Sequence, residues 1–467
     1  MTLSTPTTRA AGAAAPAALW GLLFVLAGNM LIDALEVSVA LVALPSIGAD
    51  LELDTPQLQW VVSGFAAGFG GLLLFGGRLV AHLGRRPVYL AALAVFAAAS
   101  VAGALADSAG LLVASRFVKG FCAALTAPTG LAIIASVFPE GPARSRAVAV
   151  YSLFGAGGFS AGLLLSGALS EVSWRWAFAF PAPVALLLFA AGTKLIPRDG
   201  PGPRPAGGYG AVSALSLTGA VLALVYAITS VPGAGWSGAR TVGASALAVL
   251  LAVVFVRVEL TAREPLVRLE LLAREPLVRS ALGAGALNGS YLGLLLVATL
   301  HLQQRAGWSP LETGLAFLPA SAPLALTALY SGRIAARFGP ARLIAAGTAA
   351  AALGYALYPR DGRADISYAA DVLPTMLLVG AAFVLAFTAL HLQATAAVPA
   401  DRQAAAGGLY QTSVQLGAVL VTAAVAALHT AGTGPALLLV VAVGSAGLLP
   451  ALRGLRPRRA AVPVAAP

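Results

Sequence analysis

The chain has 467 residues, of which 59% are hydrophobic and only 10% charged, and its mean hydropathy is +0.88. No soluble domain of this length can bury so much apolar surface, so a lipid bilayer must solvate most of it. One cysteine, Cys122, and four histidines leave no disulfide framework and little for a metal site. The net charge of +11 resides on arginines in short loops between apolar runs, a pattern of membrane topology rather than of nucleic-acid binding.

The tail at 1–18 is Thr/Ala-rich and carries one charge, Arg9. At roughly 20 apolar residues per crossing, fourteen spans are predicted. The first six lie near 19–44, 57–80, 87–107, 110–135, 146–168 and 176–196. The first is longer than a secretory signal and contains acids, so it reads as an uncleaved span. The Pro/Gly-rich stretch Ile196 to Gly210 then interrupts the pattern. Two extra spans follow near 211–231 and 240–258, and a charged connector repeats AREPLVR at 262–268 and 273–279. The last six spans lie near 280–303, 311–333, 342–358, 372–398, 404–428 and 434–452, and a basic tail closes the chain at 453–467.

Charge placement supports an even count. With the N-terminus inside, 22 of the 29 lysines and arginines fall in inward loops and tails. Outward loops carry acids instead, including Asp50, Glu52 and Asp54 in the first. Both termini are therefore expected in the cytoplasm. GRLVAHLGRR at 77–86 also returns as GRIAARFGPAR at 332–342, each copy after the second span of a six-span set. Two copies of one bundle are the build of many secondary transporters. The domains expected are an N-terminal bundle at 19–196, a linker with two central spans and an amphipathic connector at 197–279, and a C-terminal bundle at 280–452. The connector from Arg257 to Arg279 is expected to lie on the inner membrane surface.

The chemistry concentrates in Leu31–Pro45, LIDALEVSVALVALP. Asp33 and Glu36 stand one helical turn apart and share a face within an apolar run. Intramembrane acids usually face a bundle interior or a wet cavity. Arg116 and Lys119 on the fourth span repeat the same i,i+3 spacing. Counted from the outer ends, Glu36 and Asp33 lie about 8 and 11 residues deep and the two bases about 7 and 10, so two acids and two bases can meet. Glu36, the shallower acid, is expected to be hydrated and its replacement milder than that of Asp33. The competing reading is a permanent double salt bridge that only holds two helices together. Asn29, Gln59, Trp60, Tyr291, Tyr410, Gln411 and Gln415 are candidates for cargo contact. His301, His391 and Asn288 read as hydrogen-bonded structural groups.

LIDALEVSVALVALP, LQWVVSGFAAGFGGLLLFGGRL (58–79), ASRFVKGFCAAL (114–125), SWRWAFAFPAP (173–183), GWSPLETGLAFLPA (307–320) and GGLYQTSVQLG (407–417) occur in this order on successive spans. Together they resemble the fourteen-span drug:proton antiporter branch of the major facilitator superfamily. The resemblance implies an all-α membrane protein of major facilitator fold, two six-helix bundles plus two extra central helices. It further implies proton-driven export of amphipathic small molecules such as drugs, antibiotics or secondary metabolites by alternating access in the plasma membrane. No cofactor, no nucleic-acid partner and a monomer are expected, with protons, a small-molecule substrate and the bilayer as partners. Spans one and four would line the central cavity, with Asp33, Glu36, Arg116 and Lys119 coupling protons. Gly77, Gly84, Arg85 and Arg86 in the inward loop, with Gly162 and Gly167 in the fifth span, would serve gating.

Three departures stand out. Ala81 and Ala336 occupy the inward-loop positions where the family usually has Asp, and His82 replaces an Arg, so closure must rest on other contacts. The fifth-span signature G-P-x-x-G-G is reduced to Gly162-Leu163-x-x-Ser166-Gly167, which keeps a solute-uptake symporter open as an alternative. Lys119 stands where the family has Gln. A catalytic constellation is absent from the sequence, so an enzyme is not expected. A non-transporting receptor is the remaining alternative, although no loop exceeds about 20 residues.

Overall fold

The computed structural model describes residues 16–199, 208–448 and 451. The expected N-terminal tail up to Ala15, the centre of the Pro-rich linker and the basic tail lie outside the described residues. Within them the chain is helical and contains no strand. Helices dominate because lipid offers no partner for backbone N–H and C=O groups, which must bond within each segment.

The first six expected spans are α1 (Pro16–Leu51), α2 (Thr55–Leu83), α3 (Arg85–Ala104), α4 (Ala109–Val137), α5 (Pro142–Ser170), and the pair α6 (Trp174–Ala179) and α7 (Pro181–Leu195). The extra pair is α8 (Ala211–Ala234) and α9 (Ala239–Thr261). The remainder comprises α10 (Glu275–Leu300), α11 (Pro310–Ala316), α12 (Leu318–Thr327), α13 (Ser331–Phe338), α14 (Pro340–Leu357), α15 (Leu373–Ala382), α16 (Thr388–Ala396), α17 (Gln403–His429) and α18 (Thr433–Ala446). Among the described residues, eleven helical rods are long and apolar enough to cross a membrane. The other three expected spans coincide with 310–338, broken into α11, α12 and α13, with the 18-residue α14, and with the short α18.

Local chemistry sets several of these ends. Asp54 accepts from Gln57 N at 2.8 Å while the Gln57 side chain accepts from Asp54 N, a capping box that starts α2. Ser309 and Glu312 form the same device at α11. Gly84 and Gly339 have φ of +95° and +78°, so both copies of the repeated loop end a helix in the region that favours glycine. The expected end of the first span near 44 shifts: α1 runs on to Leu51 with Pro45 inside it. At the connector, α9 extends to Thr261, α10 begins at Glu275, and a short turn at Leu269–Ala273 lies between. Pro265 and Pro276 interrupt helix propagation there, and buried Glu259 accepts from Val267 N at 2.8 Å, folding the connector back on α9.

Close helix approach positions the interior. A Cβ on Gly120 would meet the Phe65 backbone and one on Gly68 the Phe117 backbone, so α2 and α4 touch through their main chains. α10 and α17 cross in the same manner at Gly285 and Gly417. On the other side of α1, Ser38 donates to Phe159 O at 2.8 Å and Ser166 to Val39 O at 2.5 Å, fastening α5.

Candidate functional site: a divided carboxylate pair between two helices

The α2–α4 contact carries Arg116 to α1. Its Nε donates to Val61 O at 2.9 Å, one Nη donates to the backbone oxygen of Glu36 at 2.7 Å, and the other pairs with the Glu36 carboxylate. Lys119 Nζ lies 2.5 Å from the other Glu36 carboxylate oxygen. Arg116, Lys119 and Glu36 are all fully buried. Aromatic faces close the site: Phe65 lies 5.0 Å from the guanidinium carbon, Phe96 lies 5.2 Å from Nζ, and Phe178 is within 6 Å of both cations.

Asp33 is built differently. Its Oδ2 accepts from Asn29 Nδ2 and from Thr126 Oγ1, both at 2.8 Å, and its Oδ1 has no partner. Among the described residues no Lys, Arg or His forms a salt bridge with it. The expected pairing of two acids with two bases is therefore corrected. Both cations serve Glu36, and Asp33 keeps neutral donors. Glu36 is also not the hydrated acid, because seven further residues of α1 lie beyond the expected outer end, about 10 Å of helix at 1.5 Å per residue.

α1 and α4 run antiparallel, so a residue one turn deeper on α1 faces a later residue on α4. That register gives Glu36 to Arg116 and Lys119 and gives Asp33 to Thr126. Sequence reasoning missed Thr126 because a lone Thr in an apolar helix carries no charge signal; its spacing of two turns from Lys119 was the available clue. Phe65, Phe96 and Phe178 were missed for the same reason.

The other sequence candidates are dispersed. Gln59 is buried in α2 and accepts from Ser63 Oγ at 2.7 Å, with its amide nitrogen unpartnered, while Trp60 is half-buried against the core. Tyr291 is buried with its hydroxyl unpartnered, and its ring sits 5.5 Å from Phe159 and 4.6 Å from Phe383. Phe383 begins the π-helical turn Phe383–Phe387, a feature frequent at functional sites. Tyr410 donates to Phe387 O at 3.0 Å. Gln415 is buried against Gly70 of α2 with its oxygen unpartnered, and Gln411 is half-buried. Among the described residues none of these shares a hydrogen bond with the charged cluster. His301 is held by Arg363 O at 2.7 Å and Tyr358 at 3.3 Å, and Asn288 donates to Val414 O at 3.1 Å, as hydrogen-bonded groups should.

The gating candidates occupy unequal environments. A Cβ on Gly77 would meet nothing within 4 Å, whereas one on Gly162 would fall 2.6 Å from Leu35 O and one on Gly167 2.9 Å from Pro310 O. At the arginine-rich end, Arg86 donates through its backbone N–H to Asp199 at 3.1 Å and through its side chain to Thr193 O at 2.5 Å. Arg85 reaches Ala132 O at 3.5 Å. Arg78 donates to Gly208 O, Glu264 O and Pro265 O at 3.1, 2.6 and 2.8 Å. With Ala81 in place of an acid, the carboxylate that meets this loop comes from Asp199 in the linker.

Residues 26–422 match the family model of the Major Facilitator Superfamily. The chain belongs to the major facilitator superfamily. Among its relatives, the puromycin resistance protein pur8 of Streptomyces alboniger is 35% identical over 89% of this chain and 82% of its own length. The tetracenomycin C resistance and export protein of Streptomyces glaucescens is 30% identical over 89% and 77%. The multidrug efflux pump LfrA of Mycolicibacterium smegmatis is 29% identical over 89% and 82%. The fold is shared with an auto-inhibited peptide transporter of the POT family, at a TM-score of 0.65 and 18% identity, covering 96% of this chain and 98% of that one. A major facilitator protein of this build is a multi-span membrane transporter, and the charged cluster lies within its spans.

Proposed function

We propose that the protein exports amphipathic small molecules, antibiotics or secondary metabolites among them, across the cell membrane in exchange for protons. The relatives named above are resistance and export proteins, which supports the cargo class. Both termini face the cytoplasm in this reading, and the halves 19–196 and 280–452 rock about the bound cargo.

One observation carries the coupling: the two acids of α1 have different partners. Glu36 is paired with both Arg116 and Lys119. Asp33 is buried without a counter-cation and has one oxygen free. An unpaired buried charge is costly. A proton on Asp33 removes that cost, and so does a cationic group on the cargo. The two occupants substitute for one another at one carboxylate, which is the requirement of exchange.

Cells making the protein are expected to accumulate less of a cationic dye than cells without it, and collapse of the proton gradient is expected to abolish the difference. Loss of export on ATP depletion at a constant gradient would overturn the coupling.

A further inference from the structure

A cavity of about 890 Å³ lies among the last six spans, open at the surface, and shares no residue with the Asp33 and Glu36 cluster. It opens among the ends of α10, α14, α16 and α18 at the arginine-rich side. Its volume falls within the range of small-molecule sites, roughly 300–1,000 Å³.

The internal repeat shows that this space is not a property of the fold. Aligning Gly77-Arg78 with Gly332-Arg333, and Gly84 with Gly339, puts Tyr89 and Leu93 of α3 in register with Ile344 and Thr348 of α14. Tyr89 and Leu93 are fully buried in a packed cluster with Leu26, Phe96, Ile133 and Ala185. Ile344 and Thr348 instead face the cavity, opposed by Gly283, Ala286, Ala386 and Gly444. One copy of the bundle is filled by large side chains, and the other has smaller ones at the matching positions. The space is open at the surface, where Leu282 is exposed, and its walls are mostly apolar, so a small amphipathic molecule can enter and occupy it.

The polar groups indicate which. Ser280 on the wall is 1% exposed and its hydroxyl has no partner. Gln393 and Gln403 also line it. Arg279 is the charged residue of the described lining, and it is engaged by Glu275. Among the described lining residues no second cation stands ready for a phosphate headgroup. We propose that this cavity is a second binding site, taking an exchangeable amphipathic molecule with an apolar body and an uncharged polar group. The site is separate from the proton-exchange carboxylate and stands whether or not export is proton-driven.

The test is fluorescence titration of full-length protein in phosphatidylcholine nanodiscs with Nile red, a neutral amphipathic dye. The wild type is expected to bind saturably. The double variant Ile344→Tyr/Thr348→Leu, which gives α14 the residues of α3, is expected to weaken binding ten-fold or more. Unchanged affinity in a double variant that elutes and melts like the wild type overturns the proposal. Should that variant misfold, Ala286→Leu fills the same space with a smaller change, and unchanged affinity there overturns it equally. A phospholipid found by native mass spectrometry on the wild type, and not displaced by Nile red, would make this a structural lipid site and also overturn it.

Discussion

Replacing Glu36 by Gln preserves shape and removes one charge from between two buried cations. Arg116 and Lys119 are both fully buried, and the carboxylate of Glu36 is their shared partner. Breaking a buried pair by removing one member costs about 3–5 kcal/mol, and two cations depend on this one. The retained Arg116 bonds to Val61 O and Glu36 O offset part of that loss. The Asp33→Asn substitution is different, because an amide oxygen can still accept from Asn29 and Thr126, so its cost should stay within about 1 kcal/mol, the worth of a single neutral hydrogen bond. Thermal unfolding of both variants in detergent, followed by size-exclusion fluorescence, measures the contrast, and pH-driven dye transport in proteoliposomes measures function. Glu36→Gln is expected to lose folded yield and melting temperature, and Asp33→Asn to keep both yet lose gradient-driven transport. Equal destabilisation of the two, or full transport by Asp33→Asn, would refute the division of roles.

Gly120→Ala should destabilise by about 1–3 kcal/mol through overpacking at the α2–α4 crossing, where the added carbon lies 2.9 Å from the Phe65 carbonyl carbon and from Phe69 N. Gly77→Ala, in open space, should be neutral or stabilising by up to about 1 kcal/mol; thermal melts of the pair check both. Arg78→Gln should weaken the link between the second span and the connector by about 1–3 kcal/mol, since three carbonyls lose a charged donor, and a melt of unchanged midpoint would contradict it. Reporter fusions after Leu452 and near Gly202 should both report a cytoplasmic location, and an extracellular C-terminus would mean that one expected span is wrong.

The sequence by itself determined that the chain crosses a membrane in apolar helices, that most of its arginines lie between them, and that one loop occurs twice. These properties follow from the solvent, because each is set by a residue's own transfer energy or by direct identity between segments. The motifs reached the family for the same reason, being short and local. Sequence also picked out Asp33, Glu36, Arg116 and Lys119, since charge in an apolar run is visible without a fold. The partnership among the four was not visible. It depends on where α1 ends and on the register with which α4 passes it, and both were set by contacts between helices: glycines at the α2–α4 crossing, and a proline that the helix absorbs. A shift of one turn separates a double ion pair from the arrangement found, in which Glu36 holds both cations and Asp33 holds Thr126. Asp199 at the repeated loop was equally illegible, because it approaches across more than a hundred residues of chain. Only the packed tertiary structure could assign those partners, since an apolar helix face offers many neighbours of similar energy and close approach selects among them.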